Sequence, residues 1–176
     1  MAALLRATDL VAGYDKPALG PLNFELNEGE VLGLWGSNGV GKSTLLKVVS
    51  GEARIFSGKL EKSPKLSLAY QVQQPVRLDE MPFTGREYLR YAGASREQPP
   101  ARLDSLLDRR IDQLSGGQFQ LLSVWAVLGG EADLVLLDEP TNNLDPAGEI
   151  TGQVNWSKLK RVRAHLSGIS LFFFEY

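Results

Sequence analysis

Residues 36–44 read Gly36-Ser37-Asn38-Gly39-Val40-Gly41-Lys42-Ser43-Thr44 and satisfy the spacing G-x-x-x-x-G-K-[ST] at every fixed position. Glycines at these offsets let the backbone turn tightly and point successive N–H groups inward, an anion nest at the start of a helix. In such a loop Lys42 meets the β- and γ-phosphates of a nucleotide, and the Ser43 hydroxyl ligates Mg²⁺. The plainer account, a glycine-rich turn before a helix, explains neither the apolar strand before it nor the Lys-Ser pair after it.

A phosphate-bound Mg²⁺ also needs a carboxylate, supplied here by Asp138. It follows the apolar run Leu134-Val135-Leu136-Leu137, so it is expected at the carboxyl edge of a buried strand, where α/β sheets bind ligands. Glu139 stands next to it as an acceptor for the proton of an attacking water.

These groups require a scaffold, and the chain spells one out. Leu22-Asn23-Phe24-Glu25-Leu26 alternates apolar and polar residues, the pattern of a strand with one buried face. Val31-Leu32-Gly33-Leu34-Trp35 is a continuous apolar run, expected to be covered on both faces. The loop at 36–44 then opens a helix that Gly51 ends. Leu66–Tyr70 predicts another strand. From about 76 to 113 strands vanish; Pro75, Pro82, Pro99 and Pro100 punctuate short helical pieces, one announced by the capping-box spacing Thr84-Gly85-Arg86-Glu87. A long helix is expected from Gly116 to Leu128. The apolar side chains along it, from Phe119 to Leu128, read as a core face rather than a cofactor pocket. The strand at 134–137 follows, then a helix between Pro146 and His165, and a last strand from Ile169 to Phe174. Alternating strands and helices make this an α/β fold with a largely parallel sheet.

Composition narrows the chemistry. The 176 residues carry a net charge of −2, with 43% hydrophobic and 23% charged residues, the profile of a single globular domain. No whole-chain basic field for nucleic acid exists. The chain holds no cysteine and one histidine, which excludes disulfides, thiolate zinc sites and multi-histidine metal sites. Its N-terminus lacks the pattern of a signal peptide, and no apolar run approaches the ~20 residues of a membrane helix. A soluble, intracellular type of domain is expected.

Leu114-Ser115-Gly116-Gly117-Gln118 brings in a resemblance. It matches unchanged the LSGGQ signature of the ATP-binding-cassette (ABC) family, and with the phosphate loop and Asp138-Glu139 the chain resembles that family's ATPase domain over residues 4 to about 150. Physically the signature is a second helix N-terminus, with a Ser cap and two small residues that let a phosphate approach. The resemblance implies a P-loop NTPase core, an antiparallel β subdomain at the N-terminus and a short inserted helical subdomain at about 76–128, within one domain spanning 1–176. It also implies ATP as ligand with Mg²⁺. Tyr14 falls where the family stacks an aromatic on adenine, and Gln73 where its Q-loop glutamine reaches Mg²⁺ and the attacking water. Asp138 and Glu139 match the Walker B aspartate and catalytic glutamate. Asp145, in Asn142-Asn143-Leu144-Asp145, matches the D-loop aspartate at the dimer seam.

The same resemblance implies a head-to-tail dimer with a second ABC ATPase subunit, each ATP lying between one phosphate loop and the partner's Ser115–Gln118. An integral membrane permease, docked at the Q-loop and helical subdomain, would hold the chain peripherally at the inner face of the membrane. The short intervals from Lys42 to Gln73 and from Gln73 to Ser115 are similar to those of zinc- and manganese-type importers. A second reading is a soluble ABC protein acting on ribosomes or nucleic acid, since residues 138–145 also resemble that branch. Departures from the family are three. The basic residues usual after the signature are absent. Acids vanish from about 150, where Lys158, Lys160, Arg161 and Arg163 cluster as a solvated helix face rather than a nucleic-acid contact. The expected γ-phosphate histidine does not follow the last strand, and His165 precedes it. From this a truncated or altered C-terminus, and an ATP-binding module of low turnover, are the third expectation.

Overall fold

The computed structural model describes residues 3–34, 36–72, 82–94, 98–138 and 170–174, the last as backbone. Gln73, Glu139, Asp145, the 146–165 helix and the basic cluster at 158–163 therefore lie outside the described residues, as does Trp35.

Two sheets organise the chain. β1 (Ala3–Gly13), β2 (Pro17–Asn27) and β4 (Arg54–Lys62) form an antiparallel sheet in the order β2-β1-β4. β3 (Val31–Leu34), β5 (Leu68–Gln71), β6 (Leu134–Leu137) and β7 (Ser170–Phe174) form a parallel sheet in the order β3-β7-β6-β5. The expected α/β class and antiparallel N-terminal subdomain are both present. The apolar C-terminal run enters the sheet between β3 and β6 as its last-made strand.

Helices cover the parallel sheet on its two faces, and the two-residue period of a strand shows which side chains meet which helix. Leu134 and Leu136 of β6 belong to one core with Leu45, Leu46, Val48 and Val49 of α1 (Lys42–Ser50) and the buried side of β1 and β2. Val135 and Leu137 belong to another, built on α4 (Gly116–Leu128) and the short helices α2 (Gly85–Tyr91) and α3 (Asp104–Leu107). β5 divides the same way, Leu68 and Tyr70 toward α1, Ala69 toward α4.

Several local expectations are met residue for residue. α1 ends in Gly51, whose φ of 92° is the left-handed conformation glycine adopts freely and whose N–H meets Lys47 and Val48 carbonyls. Thr84 and Glu87 close the capping box that starts α2. α4 and β6 take the expected bounds. Others need correction. β3 is half-buried, not covered on both faces, because it stands at one edge of the described sheet with β7 as its single strand neighbour there. β5 begins at Leu68 rather than Leu66, because Lys65 takes a positive φ of 63° in a turn closed by Leu66 N–H to the Ser63 carbonyl. The apolar face expected on α4 is wider than a face: Gln120 and Ser123 are buried along with Phe119, Leu122 and Trp125.

Candidate functional site

Because all four strands of the second sheet are parallel, their carboxyl ends share one edge. β3 delivers the phosphate loop there, and β6 delivers Asp138. Open α/β sheets bind ligands at this edge.

The loop bends through three glycines of positive φ: Gly36 at 152°, Gly39 at 83° and Gly41 at 102°. At Gly41 the requirement is double. Besides its left-handed backbone, a Cβ there would sit 2.8 Å from Leu19 Cβ and 3.2 Å from the Ala18 carbonyl oxygen, so β2 presses directly on the turn. Residues 36–40 are exposed, Val40 N–H closes the loop on the Ser37 carbonyl at 3.3 Å, and α1 starts with Leu45 N–H on the Gly41 carbonyl at 2.9 Å. Lys42 is buried, and its ammonium donates to the Gly36 and Ser37 carbonyls at 2.7 and 3.1 Å. The positive charge is thus held over the cradle by the loop's own oxygens. Ser43 and Thr44 follow in the first turn of α1, both half-buried.

The structure brings Ser43 and Asp138 together across 95 positions of sequence: Ser43 Oγ donates to Asp138 Oδ1 at 3.2 Å. Asp138 continues the even-numbered parity of Leu134 and Leu136, so its carboxylate emerges on the face that α1 covers. Its backbone N–H binds the Gln71 carbonyl at 3.1 Å, which extends the β5–β6 ladder one step past the strand. One carboxylate and one hydroxyl are the protein's usual share of a Mg²⁺ site whose other ligands are phosphate oxygens and water, so the donor set fits that ion. No larger acidic or histidine cluster exists among the described residues.

Sequence reasoning missed a third group here. Tyr70 Oη donates to Asp138 Oδ2 at 3.1 Å. Burial first, then the charge and hydrogen bond of Asp138, push the phenol above its ordinary range, so it stays protonated and remains a donor. Parity within one strand could not have found it, since the contact depends on the β5–β6 register that sets Tyr70 opposite Leu136 on one face.

The remaining residues divide. Tyr14 is exposed at the end of β1, with the Lys47 ammonium 5.8 Å from its ring centroid, a cation–π contact that ties it to α1. Ser115 caps α4: its hydroxyl accepts from Gln118 N–H at 3.2 Å, and Gln118 Oε1 accepts from Ser115 N–H at 3.0 Å. Arg109 also donates to Gln118 Oε1 at 3.3 Å. A Cβ on Gly116 would meet nothing within 4 Å, so this helix end opens outward, with Gly117 half-buried behind it. α4 packs on the sheet face opposite α1, so Ser115–Gln118 and the phosphate loop belong to opposite sides of the sheet.

Residues 19–142 match the family model described as ABC transporter, which spans the phosphate loop, the signature and Asp138-Glu139. The chain belongs to the ABC transporter family. A curated ABC relative, the "Zinc import ATP-binding protein ZnuC" of Paracoccus denitrificans (strain Pd 1222), is 37% identical over 157 residues, covering 84% of this chain and 61% of that protein. The chain thus spans about three fifths of that relative's length. Among solved structures, a metal-chelate type ABC transporter in an inward-facing conformation matches with a TM-score of 0.72 and 28% identity, over 99% of this chain and 73% of that one. The archaeal ribosome recycling factor aABCE1 matches with a TM-score of 0.69 and 27% identity, over 34% of its chain.

Proposed function

We propose that this ABC chain binds and hydrolyses ATP with Mg²⁺ and couples that cycle to metal-ion import through a separate membrane permease. The observation that carries the reading is the Ser43–Asp138 contact at 3.2 Å beside a complete phosphate loop. The ZnuC and metal-chelate transporter relatives support the cargo class.

In this reading the loop N–H groups receive the phosphate oxygens, and Lys42 turns from the Gly36 and Ser37 carbonyls onto the β- and γ-phosphates. Ser43 and Asp138 hold Mg²⁺, which when bound neutralises charge developing between those phosphates. Thr44 lies beside them, Tyr14 stacks on adenine, Gln73 orients the attacking water, and Glu139 takes its proton. Ser115, Gly116, Gly117 and Gln118 serve a second subunit's ATP across a head-to-tail dimer, with Asp145 at the seam. The opposite placement of α1 and α4 on the sheet supports a composite site.

The docking face for the permease is the groove of about 580 Å³ between β5, α2 and α4, lined by Gln71, Val72, Tyr88 and Ser123 among others. Gln71 lines it, its Nε2 donating to the Val72 carbonyl at 2.8 Å and its Oε1 buried without a hydrogen-bond partner among the described residues. Docking there would hold the chain peripherally at the inner membrane face. Among the described residues no helix is long and apolar enough to cross a membrane itself. The test is co-purification of the tagged chain with membranes and their permease. Recovery with ribosomes instead would favour the alternative that its likeness to aABCE1 raises.

A further inference from the structure

Tyr70 has no role in the proposed ATP cycle, yet its hydroxyl reaches the carboxylate on which the Mg²⁺ site depends. Asp138 is buried, and its two oxygens receive different hydroxyls: Ser43 on Oδ1 at 3.2 Å, Tyr70 on Oδ2 at 3.1 Å. A carboxylate rotates about a broad two-fold torsion, and hydroxyls on both of its oxygens restrict that rotation.

The support behind Tyr70 is rigid. Tyr70 lies directly opposite Leu136 in the β5–β6 ladder, two positions before Asp138 on the same face. The register is pinned at both ends. At the start, Asp133 Oδ2 accepts from Ser67 N–H at 2.9 Å and from Ser67 Oγ at 2.6 Å. At the finish, Asp138 N–H donates to the Gln71 carbonyl at 3.1 Å. A slip of one residue would send the Tyr70 ring to the α4 face. The ring itself packs against the core that α1 shares with β6, which directs the phenol along the sheet toward Asp138.

We propose that Tyr70 is a positioning residue for Asp138: its hydroxyl fixes Oδ2 and thereby keeps Oδ1 aligned with Ser43 to receive Mg²⁺. This rests on the Mg²⁺–nucleotide reading of the site. Partners that orient a metal ligand contribute ~10–100-fold in metal affinity when removed, and the phenol is such a partner.

The experiment titrates Mg²⁺ against binding of a fluorescent ATP analogue, for the parent chain, Tyr70→Phe and Tyr70→Leu, with parallel titrations in EDTA. Tyr70→Phe removes one oxygen and keeps the ring, so the fold and the metal-free affinity for the analogue are expected to match the parent. The Mg²⁺ concentration for half-maximal tightening is expected to rise ~10-fold, with Mn²⁺ showing the same displacement. An unchanged half-point in Tyr70→Phe overturns the proposal. So does a displacement confined to Tyr70→Leu, which would assign the effect to ring packing. If the parent's own affinity for the analogue is indifferent to Mg²⁺, the reading of the site falls and the proposal with it.

Discussion

Lys42 is the residue on which nucleotide binding turns most directly. Its ammonium is held at the loop by the Gly36 and Ser37 carbonyls at 2.7 and 3.1 Å, within reach of a phosphate bound by the same loop. A charged hydrogen bond of this kind contributes ~1.5–3 kcal/mol, so Lys42→Ala should weaken an ATP analogue by ~10- to 100-fold. Equilibrium fluorescence titration reads this, and an unaltered affinity would sink the phosphate-loop assignment. Gly41 tests the same loop through its backbone. A left-handed non-glycine residue costs ~1–2 kcal/mol, and Gly41→Ala adds a clash with Leu19 at 2.8 Å. Urea unfolding should show a loss of at least ~1 kcal/mol, with β2 forced away from the loop. The same substitution at Gly39, whose added Cβ meets nothing within 4 Å, keeps the backbone strain without that clash. Lys42, Ser43 and Asp138 were legible in the sequence because local spacing encodes them. Tyr70 was not, because its contact depends on which residues two distant strands place opposite each other.

Elements were legible wherever a cap or an unbroken apolar run marked them. α4 begins at its Ser115 cap, and β6 is Leu134–Leu137 because nothing polar interrupts it. β1 and β4 carried weaker signals. Asp9 breaks β1 with a positive φ of 46°, pairing with β2 and β4 shifts register nearby, and β4 is exposed along nearly its whole length. With so little buried face, β4 shows no alternation to read. The caps give a measurable prediction. Ser115→Ala removes the acceptor for Gln118 N–H and should cost ~1 kcal/mol, whereas Ser115→Gly should cost only a few tenths of that. Thermal unfolding of the two variants separates capping from any general intolerance at this position. At α2, hydrogen bonds from Thr84 hold Glu87 below its ordinary carboxylate pKa. A lowered folded pKa stabilises above the unfolded value and is lost as pH falls through the folded one. Glu87→Gln should therefore lower stability slightly at neutral pH, with the gap to the parent closing as pH falls through the folded pKa, a difference read from urea unfolding across a pH series.

Whole-molecule order is where sequence said least. That β7 would lie between β3 and β6 follows from pairing, not from any residue type, yet this arrangement decides which helices share a face. With α1 and α4 on opposite faces, the chain's own signature and phosphate loop are separate surfaces, and the proposed function needs two chains for one closed site. If, as proposed, that interface forms on ATP and is released by hydrolysis, blocking hydrolysis should accumulate it. Glu139→Gln removes the proposed base and leaves the Asp138 carboxylate with its Ser43 and Tyr70 partners untouched. Gel filtration with ATP and Mg²⁺ should show a larger dimer fraction for Glu139→Gln than for the parent, and the excess should vanish in EDTA. Adding Ser115→Arg, which places a bulky cation at the open start of α4, should abolish that dimer without lowering ATP affinity at the phosphate loop. Both measurements use the same preparation, so a lost dimer with retained binding isolates the signature as the second half of the site. A Glu139→Gln chain that stays monomeric at saturating ATP would count against self-association and direct the search to a different ABC subunit as partner.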